Sequence, residues 1–138
     1  MDFATRLLHV GVEIDKHTGA ASIPVYQAST FHQEDVDVPP EFEYSRSGNP
    51  TRRALEEVIA HLESGTAGFA FASGMAAIAA SLLIFSQGDH LLAPKDVYGG
   101  TYRILTKACG RWGIGHTLVD TTDFSQLEKA LTPNTKAL

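Results

Sequence analysis

From Thr51 onward the apolar positions repeat with two alternating periods. Asn49-Pro50 offers a capping side chain and a proline pre-set for the first helical position. Behind it, Ala54, Leu55, Val58, Ile59 and Leu62 fall on one helical face, with Arg52, Arg53, Glu56, Glu57 and His61 elsewhere. Ser64-Gly65 closes that helix, and Gly68 to Ala72 reads as a short buried strand. Ser73-Gly74 then turns into a helix from Met75 to Phe85 that is apolar nearly all round, which predicts burial in a larger assembly.

The alternation continues to the last residue. After the Gly88-Asp89 turn, His90 to Pro94 predicts a strand, and Lys95 to Gly100 a loop. A third helix follows, with Ile104, Leu105, Ala108 and Trp112 on its inner face. His116 to Asp120 predicts a further strand. Asp123 and Gln126 resemble a capping box for a helix turning Phe124, Leu127 and Leu131 inward. Thr135 to Leu138 reads as the opening of another strand, so the expectation is an incomplete domain that continues past Leu138. Repeated strand–helix–strand units imply an α/β fold with a parallel sheet and right-handed crossovers.

Residues 1–50 differ. Met1 to Val10 predicts a short helix, but Gly19 to Phe31 is extended and Pro39-Pro40 interrupts any helix. The expected organisation is an extended amino-terminal arm over 1–50, lying on a partner subunit, and the first part of an α/β domain over 51–138. Composition removes several functional classes. With 138 residues, 43% of them apolar and 20% charged, the chain has the make-up of a folded domain. A net charge of -5 without a basic stripe argues against a nucleic-acid partner. No apolar run is long enough to span a bilayer, and the start lacks a secretion-signal pattern. Cys109 is alone, which excludes an internal disulfide and predicts a reducing, cytoplasmic setting. The six histidines show no metal-ligand spacing, so no metal is expected.

Three constellations could carry chemistry. Ala72-Ser73-Gly74-Met75-Ala76-Ala77 opens a helix, where unpaired N–H groups and the positive dipole end suit a phosphate; a plain cap by Ser73 is the alternative. Asp96-Val97-Tyr98-Gly99-Gly100-Thr101 follows the next strand, so both turns should open on one edge of the sheet. Its tyrosine, cleared by two glycines, suits a planar ligand or simply packs on the next helix. In Glu43-Tyr44-Ser45-Arg46-Ser47-Gly48-Asn49-Pro50-Thr51, a phenol and a guanidinium stand two residues apart on one side of an extended segment. They are able to bind phosphate, or to form only a cap with a surface arginine.

In this order, Tyr44 to Thr51, Ser73 to Ala77 and Asp96 to Thr101 resemble the Cys/Met-metabolism family of pyridoxal-phosphate enzymes. Thr18-Gly19-Ala20 and Ile23 to Phe31 resemble that family's amino-terminal arm, and the likeness runs from Thr5 to Leu138. The resemblance implies part of the large domain of a type I, aspartate-aminotransferase-like fold with pyridoxal 5'-phosphate as cofactor. It implies that Ser73, Gly74 and Met75 hold the phosphate and that Tyr98 stacks on the pyridine ring. It further implies that Tyr44 and Arg46 reach the phosphate of a neighbouring subunit's cofactor, in a homo-oligomer built as a dimer of dimers. Tyr98 and Tyr44 are the catalytic candidates, Tyr44 as a proton relay.

The activity implied is C–S bond cleavage in a sulfur amino acid, with cystathionine β-elimination favoured. Cystathionine γ-synthase, γ-lyase and O-acetylhomoserine sulfhydrylase chemistry are the alternatives. The family's cofactor-holding lysine lies well downstream of the matched motifs, and Lys95, Lys107, Lys129 and Lys136 have nothing around them to recommend them. A fragment without that lysine is expected to be inactive alone. A non-catalytic folded piece serving only subunit association is the alternative of another class.

Overall fold

The computed structural model describes residues 2–11 and 14–138. They form two compact units, Met1–Ala70 and Phe71–Leu138.

The first unit is built on two helices. α1, Phe3–His9, starts where the Asp2 carboxylate accepts the Thr5 N–H at 2.8 Å. α2, Pro50–Leu62, starts where Asn49 accepts the Thr51 N–H at 2.9 Å, with proline at the first helical position. The two helices pack together, and Ala54 is buried. α2 closes through Ser64, whose φ of 55° turns the chain out of the helix. Residues 24–30 are irregular and spend their polar groups on the start of α2. The Thr51 hydroxyl donates to the Pro24 carbonyl at 3.1 Å and accepts the Tyr26 N–H at 2.9 Å. Asn49 Nδ2 donates to the Tyr26 carbonyl at 3.0 Å, the Ser45 hydroxyl donates to the Ala28 carbonyl, and Thr30 bridges antiparallel to Tyr44.

The strand expected over 68–72 does not form. A strand needs a neighbour to take its ladder hydrogen bonds. Here the Ala70 N–H goes instead to the Glu56 carboxylate of α2, at 2.9 Å.

The second unit is a three-stranded parallel sheet with flanking helices. β1 is His90–Pro94, β2 Gly115–Val119 and β3 Thr135–Ala137, in the spatial order β2-β1-β3. The parallel sheet expected from the sequence is present. The residues that read as a strand opening near Leu138 supply its third strand. The His90 ring joins all three strands: Nδ1 lies 2.9 Å from the Thr135 hydroxyl and Nε2 2.9 Å from that of Thr117. α3 spans Gly74–Leu82. Its inner side contributes Ile78 and Leu82 to a core with Leu91, Leu105, Cys109 and Ile114, while Leu83 and Ile84 beyond it are exposed.

The third predicted helix is a composite. α4, Gly99–Arg103, runs into a π turn over Ile104–Ala108 and a 3-10 turn over Cys109–Trp112. The wider turn, closed by the Cys109 N–H on the Ile104 carbonyl, alters the facing of everything after it. Leu105 and Cys109 are buried as a result, and Trp112 stays 43% exposed rather than inward. α5, Phe124–Ala130, is capped by Asp123, which accepts the Ser125 N–H at 2.9 Å. Only Leu127 of the three expected inward residues is partly covered. Phe124 stands at the solvent-facing first position, and Leu131 lies past the helix end.

Candidate functional site

Two groups of candidate residues are resolved, one on each unit. In the second unit, Ser73 is extended, with φ -157° and ψ 156°, and caps α3 by accepting the Ala76 N–H at 3.1 Å. The Ala77 N–H makes the first backbone bond, to the Ser73 carbonyl, also at 3.1 Å. The N–H groups of Gly74 and Met75 remain, with no acceptor among the described residues. They point along the positive end of a nine-residue helix, the arrangement that binds a phosphate group. A Cβ built on Gly74 would meet nothing within 4 Å, so this turn faces open space.

Tyr98 is the residue before α4 and follows β1 through Lys95–Val97. Gly100, in the first turn of α4, is buried between the two loops. A Cβ there would lie 2.6 Å from Met75 Sδ and 2.7 Å from Tyr98 Cε1. The Met75 side chain and the Tyr98 ring therefore meet over the Gly100 backbone, and only glycine leaves them room. Tyr98 as a residue is 70% exposed, which leaves it able to cover a flat ligand. The two turns come together through this contact rather than as two strand ends on one sheet edge, because residues 68–72, just ahead of Ser73, form no strand.

In the first unit, Tyr44 and Arg46 are also together, though not on an extended segment. Tyr44 ends the bridge to Thr30, and its carbonyl then accepts the N–H groups of Ser47 at 3.0 Å and Gly48 at 2.9 Å, and the Ser47 hydroxyl at 2.9 Å. Arg46 thus rides on a tight turn, and its guanidinium lies 4.6 Å from the centre of the Tyr44 ring. Two nearby carboxylates are engaged elsewhere: Glu41 pairs with Arg53, and Glu56 with Arg52. Among the described residues no ion pair holds Arg46, so its charge is available to an anion.

One residue here was not singled out from the sequence. Arg52, on α2, donates from Nη1 to the Ser45 carbonyl at 3.1 Å and the Arg46 carbonyl at 3.4 Å, and from Nη2 to the Ser47 carbonyl at 2.9 Å. Its signal was faint: an arginine early in a helix, just after a serine-rich turn whose carbonyls needed donors.

Each group by itself suits part of an anionic, planar ligand: in the second unit a helix start with two unspent N–H donors and an exposed aromatic residue beside it, in the first a guanidinium stacked on a phenol. Outside them, burial pushes the Cys109 thiol up, which keeps it protonated and unreactive. No helix among the described residues is long and apolar enough to cross a membrane.

Comparison with known proteins agrees with this chemistry. The profile of the family described as Cys/Met metabolism PLP-dependent enzyme matches residues 4–138. Cystathionine beta-lyase MetC of Bacillus subtilis (strain 168) is 53% identical over 134 residues, covering 97% of this chain and 34% of that protein. Cystathionine gamma-lyase of the same organism is 52% identical over 134 residues, covering 97% and 35%. In a crystal structure with L-serine, cystathionine gamma-lyase from Lactobacillus plantarum superposes with a TM-score of 0.88 at 51% identity, over 99% of this chain and 36% of that one. The chain spans about a third of the length of these relatives.

Proposed function

Since the chain belongs to the Cys/Met metabolism PLP-dependent enzymes, we propose that it forms the phosphate-holding part of a C–S lyase of sulfur amino acids, with cystathionine β-elimination as the favoured reaction. The observation that carries this reading is the meeting of Met75 and Tyr98 over Gly100, beside the two free N–H groups of the α3 start. Pyridoxal phosphate, when bound, supplies the electron sink that lets the Cα–H and then the Cβ–S bond break.

The chain's own residues bind and orient. The Gly74 and Met75 N–H groups donate to the phosphate. The Ser73 hydroxyl, already accepting from Ala76, keeps its proton to donate as well. Tyr98 lies against the ring and holds it flat. Arg46 adds a fixed positive charge to the phosphate of a neighbouring subunit's cofactor, and the phenol oxygen of Tyr44 passes a proton at that same site. That sharing requires at least a dimer, and a dimer of dimers is the homo-oligomer proposed. The lone buried thiol and the lack of a long apolar helix among the described residues support a cytoplasmic location.

The similar share of identity to a cystathionine beta-lyase and a cystathionine gamma-lyase supports γ-elimination as a second reading. Product analysis separates them. The full-length protein, supplied with pyridoxal phosphate and cystathionine, is expected to release pyruvate and homocysteine. Release of 2-oxobutyrate and cysteine instead would assign γ-elimination, and no keto acid at all would refute the lyase reading.

A further inference from the structure

We propose that Arg52 is a positioning residue for the phosphate site: it locks the turn that carries Arg46 and so fixes where the Arg46 guanidinium can reach. The inference deepens the functional reading above and rests on Arg46 being a phosphate ligand. Three successive carbonyls, of Ser45, Arg46 and Ser47, converge on one guanidinium at 3.1, 3.4 and 2.9 Å. A turn with three carbonyls on one side is otherwise rich in unmet acceptors, and a planar fork of N–H donors is the side chain suited to meet them together.

The fork is held in turn. Arg52 Nε lies 3.5 Å from Glu56 Oε1, one helical turn along α2, and that same oxygen accepts the Ala70 N–H at 2.9 Å. On its other side the turn is fastened by the Ser45 N–H on the Ser29 carbonyl at 2.9 Å, and by Asn49 Nδ2 on the Ser45 hydroxyl at 2.9 Å. The backbone of Arg46 is therefore anchored at both ends, while its own side chain stays exposed and free of ion pairs among the described residues. Division of labour between two arginines follows: Arg52 spends its donors on the protein, so Arg46 can spend its own on the ligand.

The test compares binding of pyridoxal phosphate with that of pyridoxal, which lacks the phosphate, to full-length apoprotein, followed by fluorescence. Arg52→Lys keeps a positive charge beside Glu56 but loses the fork. It is expected to weaken pyridoxal phosphate binding about fivefold to tenfold and to leave pyridoxal binding unchanged. Arg46→Ala should weaken pyridoxal phosphate at least as much, and the double variant no more than Arg46→Ala alone.

Equal weakening of both ligands by Arg52→Lys would mean general structural damage and would overturn the proposal. Unchanged affinity, or additive losses in the double variant, would overturn it as well, while leaving Arg46 as a ligand. If Arg46→Ala itself binds pyridoxal phosphate normally, the phosphate reading of Arg46 falls, and the role of Arg52 with it. Arg52→Met, uncharged and of similar length, repeats the comparison should the lysine variant retain partial contacts.

Discussion

Gly100→Ala puts one methyl group into the contact that joins the two loops. The new carbon would stand 2.6 Å from Met75 Sδ, and 2.7 and 3.1 Å from two carbons of the Tyr98 ring. Unstrained carbon contacts lie at roughly 3.5–4.0 Å, so each neighbour must retreat by about 1 Å. Both obstacles are side chains rather than backbone, and Tyr98 is an exposed residue, so its ring yields outward at small cost. Alanine also recovers part of the roughly 1 kcal/mol by which glycine weakens a helix. The two effects oppose each other, and the net change in stability is expected to stay within about 1 kcal/mol. Cofactor binding has no such compensation. Stacking on an aromatic ring is worth about 0.5–1.5 kcal/mol beyond its buried area, and a displacement near 1 Å forfeits most of it. The expected outcome is a full-length variant that melts close to wild type yet binds pyridoxal phosphate about tenfold more weakly, measured by titrating the apoprotein. Wild-type affinity would refute the reasoning. So would a loss of several kcal/mol in stability, because Gly100 would then serve packing alone.

Three other outcomes test different links in the structure. Gly68→Ala drives a methyl into the Glu56 carbonyl oxygen and to 3.1 Å from its carbon, both backbone of α2, and should cost about 2–4 kcal/mol in chemical denaturation. Asp123→Ala removes the α5 cap and should lower the denaturation midpoint measurably. The same carboxyl is held below its ordinary value first by the Ser125 hydroxyl and then by Gln126. Its contribution is thus complete above the ordinary carboxylate range and fades as pH falls through it; acid titration of the variant should show a correspondingly flatter loss. Cys109 has its thiol raised by burial, so the folded state favours the protonated form. Stability linked to it holds at neutral pH and declines as pH climbs past the ordinary thiol value, and alkylation of the native protein at neutral pH should be far slower than of the unfolded chain.

Local signals were legible in the sequence. The α2 start was readable because Asn49 caps the N–H two residues on, ahead of a proline at the first helical position, and the α3 start because Ser73 caps the N–H three residues on. β1 and β2 announced themselves as apolar runs between turns. What depends on distant partners was not legible. The segment 68–72 has strand composition, but its amide is taken by Glu56 of α2, twelve residues upstream of the segment's start. Trp112 matches an inward position at a strict helical period, yet the π turn before it rotates it outward. The Tyr44–Arg46 pair was found as a spacing but placed on an extended segment. Its true turn depends on Arg52, which a periodicity reading assigns simply to the polar face of α2.

The crystal structure of the full-length protein grown with pyridoxal phosphate bears on all of this at once. Phosphate oxygens are expected within about 3.2 Å of the Gly74 and Met75 backbone nitrogens, with the Tyr98 ring packed against the pyridine. A phosphate seated away from the start of α3, or a Tyr98 ring turned from the cofactor, would contradict the cradle described here.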